Sequence, residues 1–240
     1  MTTPRTHVVL VPGFWLGGWA WDDVVGPLRD AGLVPHPVTL PGLGDDDTAD
    51  DRAAVTRADH VRAVVALVES LDGRVVLVGH SGGGALVGEV VDRVPGRVAR
   101  AVYLDSGPLV DGAALNPALP DGATEIPLPG WDELAAQGSS IDGIDDAGLA
   151  RFRERARPQP GRVAIEPVHV SDPARFDVPA TAICTSISPE QLQAIAGPGA
   201  PFHTELLDHD VTWVDLPTGH WAMFSRPADL ATVLVDVARA

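Results

Sequence analysis

The run RVVLVGHSGGG at positions 74–84 constrains the fold of this chain more than any other stretch. Its apolar start at 75–78 is rich in β-branched residues, which is typical of a strand buried on both faces. A Gly-x-Ser-x-Gly pattern follows, and residues 85–94 have the character of a helix. A serine on such a sharp strand-to-helix turn is a candidate nucleophile, and small neighbours let the flanking backbone pass closely. The alternative is a plain glycine-rich connection, but the recognisable strand and helix favour Ser81 as a nucleophile.

Strands and helices alternate along most of the remaining sequence. Strands are predicted at 7–11, 34–40, 75–78, 98–104, 180–185 and 211–216, and helices at 19–31, 56–71, 85–94, 189–196 and 227–238. This order predicts one α/β domain over residues 1–240, with a mostly parallel sheet of about six strands and helices on both faces. The acidic stretch at 45–51 is interpreted as a solvated loop.

The alternation stops between the fourth and fifth predicted strands. Residues 109–178 are rich in proline, glycine and aspartate, and they contain two predicted helices, near 131–137 and near 145–156. We therefore expect a small helical cap inserted between two strands of the sheet.

The acidic composition limits the classes of partner. A formal net charge of −16 argues against nucleic acid and anionic membranes, because both require a basic protein surface. No stretch approaches the roughly 18 apolar residues that span a membrane, and the first apolar run is too short for a signal peptide. We therefore expect a cytoplasmic protein that takes a small-molecule substrate. The single cysteine, Cys184, excludes an internal disulfide, and nothing in the sequence indicates an oligomeric state.

Three polar residues follow predicted strands, where reactive groups gather in parallel sheets: Ser81, Asp105 and His220. A serine hydroxyl is a weak nucleophile at neutral pH and needs an adjacent base. His220 follows the last strand, which gives the chain order serine, acid, histidine, although a surface histidine is the simpler alternative. The remaining histidines lie in strands, helices or loops away from the expected edge, or next to the nucleophile: His7, His36, His60, His80, His169, His203 and His209.

Asp105 is the candidate acid that orients the histidine and stabilises the imidazolium. A simple turn cap is the alternative interpretation of this residue, because aspartate favours such positions. After the fifth strand the sequence reads Ser-Ile-Ser, with no carboxylate before Glu190. Three further acids near the last strand are candidates, although the first two precede the strand and so lie at its wrong end: Asp208, Asp210 and Asp215.

The backbone N–H groups of Phe14 and Gly82 are the candidate oxyanion hole. The Gly13–Phe14 segment is also compatible with an ordinary tight turn, and the two interpretations do not exclude each other.

Three segments together resemble the α/β-hydrolase fold, and within it the branch of plant methylesterases and hydroxynitrile lyases. They are VLVPGFWLGGWAWDDV, GHSGGG and TGHWAMFSRPADL, and the similarity covers roughly residues 7–106 and 178–238. The resemblance implies an enzyme that needs neither a cofactor nor a metal.

The sequence also departs from that branch. Pro12 stands where the branch usually has a histidine, and Phe14 replaces a smaller residue, which should narrow the acyl pocket. Trp221 stands where hydroxynitrile lyases have a lysine, which argues against cyanohydrin cleavage. Asp105 resembles the acid position of some haloalkane dehalogenases and cofactor-free dioxygenases, whereas Ser81 excludes dehalogenase chemistry.

Taken together, these features predict a carboxylic ester hydrolase that works through an acyl-serine. Four aromatic residues are candidate pocket walls, with core packing as the alternative for each: Phe14, Trp15, Trp131 and Trp221. They favour a small apolar or aromatic ester, lactone or thioester. Two other functions stay open: a lyase, cyclase or cofactor-free oxygenase using the same site, and a slow-turnover ligand sensor.

Overall fold

The computed structural model describes residues 5–120, 122–196 and 205–240. Six strands form its central sheet: β1 (Thr6–Val11), β2 (Val34–Pro37), β3 (Arg74–His80), β4 (Arg100–Leu104), β5 (Ala180–Cys184) and β6 (Val211–Asp215). Their order across the sheet is β2-β1-β3-β4-β5-β6, and every neighbouring pair is parallel. The predicted fold class is therefore confirmed.

Helices pack against both faces of this sheet. The α-helices of the described residues, including those in the segment between β4 and β5, are α1 (Asp22–Asp30), α2 (Ala49–Ala54), α3 (Arg57–Ser70), α4 (Gly82–Arg93), α5 (Trp131–Ala136), α6 (Asp146–Arg155), α7 (Gly161–Ile165), α8 (Pro189–Ile195), α9 (Ala222–Ser225) and α10 (Pro227–Arg239). Within the described ranges, no helix combines the length and apolar character needed to cross a membrane.

Alternating residues of β1 show why the sheet needs helices on both of its faces. Val8 and Leu10 pack in a core cluster with α1 and α10, whereas Val9 and Val11 pack in a second cluster with α3 and α4. All four side chains are fully buried. Successive side chains of a strand point to opposite faces, so a continuous apolar run specifies a sheet with helices on both sides.

The acidic stretch at 45–51 is only partly a loop, so that prediction is wrong for its last residues. Thr48 caps α2: its hydroxyl accepts from the backbone N–H of Asp51, whose carboxylate accepts from the backbone N–H of Thr48. This reciprocal capping stabilises a helix start even where the sequence is highly charged. The same reciprocal capping joins Thr56 and Asp59 at the start of α3.

The chain between β4 and β5 contains the two helices predicted there, α5 and α6. It also contains α7 and a short antiparallel pair of strands, Glu125–Ile126 with Gln159–Pro160. Two-residue strands leave no periodic signal in a sequence, which is why this pair was not predicted. We keep the name cap for residues 109–178, whose exact boundaries stay a prediction.

A buried ion pair joins the cap to two helices of the core. Arg57 on α3 donates from Nε to Oε2 of Glu89 on α4 over 2.5 Å, and each side chain is 4% exposed. The same guanidinium donates from Nη1 to the carbonyl of Val163 in the cap over 3.2 Å. Glu89 Oε1 accepts from the backbone N–H of His169, again over 3.2 Å. One charge pair therefore connects three separate segments.

Removing one partner of this pair is expected to destabilise the fold strongly. Glu89→Ala should lower the free energy of unfolding by about 3–5 kcal/mol, because it leaves the charge of Arg57 buried and unpaired. Urea titration of the variant and the wild type measures this loss. Glu69→Ala, at an exposed glutamate of α3, is the control and should cost less than about 0.5 kcal/mol. Equal losses in the two variants would contradict the assigned role of the pair.

Candidate active site

Ser81 lies at the junction between β3 and α4 in a strained backbone conformation. Its φ is 52° and its ψ is −127°, a region that residues with a Cβ atom rarely occupy. The backbone N–H of Ser81 donates to the carbonyl of Leu104 over 3.2 Å, and its carbonyl accepts from the N–H of Gly84 over 2.9 Å. These bonds to β4 and α4 hold the turn in place, as expected for a nucleophile elbow.

Two glycines allow the close packing around this turn. A Cβ atom added to Gly79 would lie 2.5 Å from the carbonyl oxygen of Gly83. One added to Gly13 would lie 2.8 Å from the Cβ atom of Ser81. The loop after β1 therefore packs directly against the serine. Phe14, which follows Gly13 in this loop, lines a cavity that Ser81 also lines.

Asp105 and His220 form a short, buried contact. His220 Nδ1 lies 2.6 Å from Asp105 Oδ2, and the two side chains are 12% and 7% exposed. Asp105 follows β4 with φ at 45°, and its N–H donates to the carbonyl of Ile183 in β5. His220 lies in the loop after β6, where its N–H donates to the carbonyl of Ser140 in the cap over 2.7 Å.

Hydrogen bonds keep Asp105 ionised. Its Oδ1 accepts from the backbone N–H groups of Thr185 and Ser186, at 3.1 and 3.0 Å, and its Oδ2 accepts from the Ser186 hydroxyl at 2.5 Å. Burial alone would raise the pKa of Asp105, but the bond and charge of His220 together with both donors of Ser186 hold it below its ordinary range. The carboxylate is thus a permanent acceptor for the histidine.

The tautomer of His220 follows from its contact with Asp105. A neutral histidine that donates its Nδ1–H to a carboxylate has the lone pair on Nε2. That tautomer is the one a general base needs for taking a proton from a serine hydroxyl. The Nδ1 atom of His220 contacts Asp105, and not one of the other carboxylates considered from the sequence: Glu190, Asp208, Asp210 and Asp215.

Ser81, Asp105 and His220 line one cavity of about 440 Å³, here named the inner cavity. Phe14 and Gly82, the two residues predicted to supply the oxyanion hole, line it as well. The remaining wall residues are Ala85, Ser106, Gly107, Leu109, Leu115, Gln137, Gly138, Ser139, Ser186, Ile187 and Leu192. This volume lies within the range of small-molecule sites, and the walls combine apolar groups with a few polar ones.

Two of the four predicted pocket walls pack around Phe152 instead. Trp221 is 2% exposed and packs edge-on against Phe152, with ring centroids 5.2 Å apart. Trp131 packs on the same phenylalanine at 5.3 Å, and the Arg153 guanidinium lies 4.0 Å from the centre of its ring. Neither tryptophan is among the described residues that line the inner cavity, so both predictions are corrected to packing roles. Phe14 lines this cavity, and Trp15 lines a neighbouring groove.

Sequence reasoning missed the supporting role of two serines. The hydroxyl of Ser106 donates to the carbonyl of Ser81, and the hydroxyl of Ser186 donates to Asp105. Ser186 follows β5 at a position where the sequence has no carboxylate. A hydroxyl at that position can donate to an acid supplied by β4, and this is the signal in the sequence that points to the bond.

His80 is also more than a neighbour of the nucleophile. Its Nε2 lies 2.9 Å from the carbonyl oxygen of His220, so it links the elbow to the loop that carries the second histidine. Burial lowers the pKa of His80 to about 3, and the nearby His220 adds to this effect. The ring is therefore neutral at physiological pH, and its Nε2–H donates to that carbonyl. His203 lies outside the described residues.

A model of the alpha/beta hydrolase family matches residues 8–233, so the chain belongs to that family. A carbendazim hydrolyzing esterase from Nocardioides sp. is 31% identical over 95% of this chain and 98% of its own length. Putative methylesterase 12, chloroplastic, from Arabidopsis thaliana is 33% identical over 43% of this chain. The match covers only 30% of that methylesterase's length. The resemblance to the methylesterase branch is confirmed.

Solved structures agree on the fold. An Arabidopsis methylesterase superposes with a TM-score of 0.77 at 22% identity, covering 98% of this chain and 99% of the other. Tomato methylketone synthase I superposes with a TM-score of 0.74 at 20% identity, covering 99% of each chain.

Proposed function

We propose that this protein is a cofactor-independent carboxylic ester hydrolase. The observation that carries the proposal is the 2.6 Å contact between Asp105 and His220 in the cavity that Ser81 also lines. The carboxylate is ionised, a neutral His220 that donates to it carries its lone pair on Nε2, and the serine lies on a strained elbow. The carbendazim hydrolyzing esterase, similar over nearly its whole length, and the named methylesterases support the same class of reaction.

In the proposed mechanism the Ser81 hydroxyl attacks the ester carbonyl while His220 Nε2 takes its proton. The backbone N–H groups of Phe14 and Gly82 stabilise the tetrahedral oxyanion. The intermediate collapses to an acyl-serine, and His220 gives the proton to the departing alcohol. Water then attacks the acyl group, again with His220 as base, and releases the acid and the free serine. Asp105 holds the imidazole and stabilises its charged form throughout.

We propose a small apolar or aromatic ester, lactone or thioester as substrate. Apolar side chains of Phe14, Leu109 and Leu115 line the inner cavity beside the catalytic groups. The names of the relatives make carbendazim and methyl esters the first compounds to test. The cytoplasmic location stays a prediction.

A substrate panel tests this proposal directly. Purified protein treated with EDTA is incubated with phenyl acetate, methyl benzoate, carbendazim, a γ-lactone and a phenyl thioester, in water enriched in ¹⁸O. Hydrolysis at the carbonyl places one ¹⁸O atom in the released carboxylic acid and needs no added metal or cofactor. Carbendazim turnover is followed by release of the aromatic amine, because the carbamic acid formed from it loses carbon dioxide. Oxygen consumption with aromatic ketones, without ester turnover, would favour an oxygenase instead. A ligand that binds tightly but is not turned over would favour a sensor.

A further inference from the structure

Three residues other than glycine have a positive φ in the described part of the chain: Trp15 at 68°, Ser81 at 52° and Asp105 at 45°. Each such conformation costs on the order of 1–3 kcal/mol and persists where the surrounding structure enforces it, often at functional sites. Ser81 and Asp105 belong to the catalytic groups proposed above. Trp15 shares the positive φ, and no part of the proposed mechanism uses its side chain.

Hydrogen bonds to the cap hold Trp15 in this conformation. Its carbonyl accepts from the backbone N–H of Arg157 over 3.0 Å, and its backbone N–H donates to Oε1 of Gln159 over 3.4 Å. The indole Nε1 donates to the carbonyl of Ile126 over 3.0 Å. Two backbone hydrogen bonds and one bond from the indole Nε1 therefore fix the position of the ring. The two faces of the indole remain available for apolar contacts.

Trp15 lines a second cavity of about 600 Å³, here named the outer groove. The outer groove and the inner cavity share three lining residues, Phe14, Leu115 and Gln137. Phe14 lies at the boundary: a Cβ atom on Gly82 would be 2.8 Å from its ring, and its ring meets Trp15 edge-on at 5.9 Å. An aromatic wall therefore runs from the proposed oxyanion hole into the outer groove.

The chemistry of the outer groove restricts its occupant. Ile126, Pro127 and Pro129 add apolar surface beside the indole. Glu133 is the one charged side chain among the described residues that line the groove, and it is exposed to solvent. A carboxylate in this position disfavours an anionic group and accepts hydrogen bonds from N–H or O–H groups.

We propose that the outer groove binds the distal arm of an extended ester, and that Trp15 selects a planar aromatic arm without negative charge. This inference rests on the proposed ester hydrolysis at Ser81. The reacting carbonyl lies in the inner cavity, and one arm of the substrate passes Phe14 to reach the indole. Trp15 is then a specificity-determining residue, and its hydrogen bonds to the cap fix the aromatic surface before substrate binds.

The test compares kcat/KM for ethyl acetate with kcat/KM for two extended esters, ethyl 4-(2-naphthyl)butanoate and 3-(2-naphthyl)propyl acetate. These carry the aromatic arm on the acyl side and on the alcohol side. Selectivity is the ratio of each naphthyl value to the ethyl acetate value. Trp15→Gly removes the indole at a position where glycine adopts the positive φ freely. It should lower selectivity for at least one naphthyl ester by about tenfold, since that corresponds to about 1.4 kcal/mol of lost aromatic contact.

A second pair of variants makes the test independent of the backbone at Trp15. Glu133→Trp fills the outer groove from an exposed helical position and should lower the same selectivity. Asp132→Trp places the same side chain one residue earlier, at an exposed position that does not line the groove, and should leave selectivity unchanged.

The outcomes separate this inference from the proposed function. Turnover of all three esters with unchanged selectivity in both Trp15→Gly and Glu133→Trp would overturn the inference alone. The same loss of selectivity in Asp132→Trp would overturn it too, because the effect would not come from the groove. Failure of the wild type to hydrolyse any of the three esters would overturn the proposed function, and the inference with it.

Discussion

Replacing Ser81 with alanine is expected to abolish ester turnover and leave the fold intact. The substitution removes the atom that forms the acyl intermediate, and the corresponding change in a serine protease lowers kcat by about 10⁶. p-Nitrophenyl ester hydrolysis measures the loss, and circular dichroism with urea unfolding measures the fold. Retained turnover in Ser81→Ala would refute the mechanism.

The strain at Ser81 supplies a control for this experiment. Because φ is positive there, Ser81→Gly relieves a conformation that costs on the order of 1–3 kcal/mol. The glycine variant should be as inactive as the alanine variant and unfold at a higher urea concentration. Higher stability with no activity would show that the serine is kept for chemistry, against a local cost in stability.

The second large effect is expected at Asp105. Asp105→Asn keeps the size of the side chain but offers an N–H to His220 Nδ1, which moves the imidazole proton to Nε2. That tautomer cannot accept the serine proton, and the matching change in a serine protease triad lowers kcat by about 10⁴. Steady-state kinetics with one aryl ester at neutral pH measures the decrease.

Asp215→Asn is the matched control for this substitution. Asp215 ends β6, is exposed, and was an alternative candidate for the acid. Its substitution should leave kcat within about twofold of the wild type, as expected for a surface position with no assigned role. Near wild-type activity in Asp105→Asn, or a large loss in Asp215→Asn, would place the acid elsewhere.

The sequence predicts the catalytic residues of this site because their positions follow from the order of the strands. Ser81, Asp105 and His220 each follow a strand, and parallel strands bring their carboxyl ends to one edge of the sheet. The apolar run of β3 and the capping pair of α3 are equally local signals. For these features the pattern within a few residues is enough to predict the structure.

Side-chain direction in irregular segments could not be predicted in the same way. Trp131 and Trp221 share aromatic character with Phe14, yet both pack around Phe152, because a ring stabilises a core as well as a pocket. The bond from Ser186 to Asp105 joins residues 81 positions apart. The strain at Trp15 depends on its bonds to the cap. Such features follow from tertiary contacts and not from periodicity.

Active-site labelling shows whether Ser81 is the nucleophile. The protein is incubated with a fluorophosphonate, digested, and analysed by peptide mass spectrometry, together with Ser81→Ala and Asp105→Asn. We expect one phosphonyl group per chain on the peptide that contains Ser81, none in Ser81→Ala, and much slower labelling in Asp105→Asn. An enzyme that loses activity through a label on another residue, or that turns over esters while Ser81 stays unlabelled, would contradict this role of Ser81.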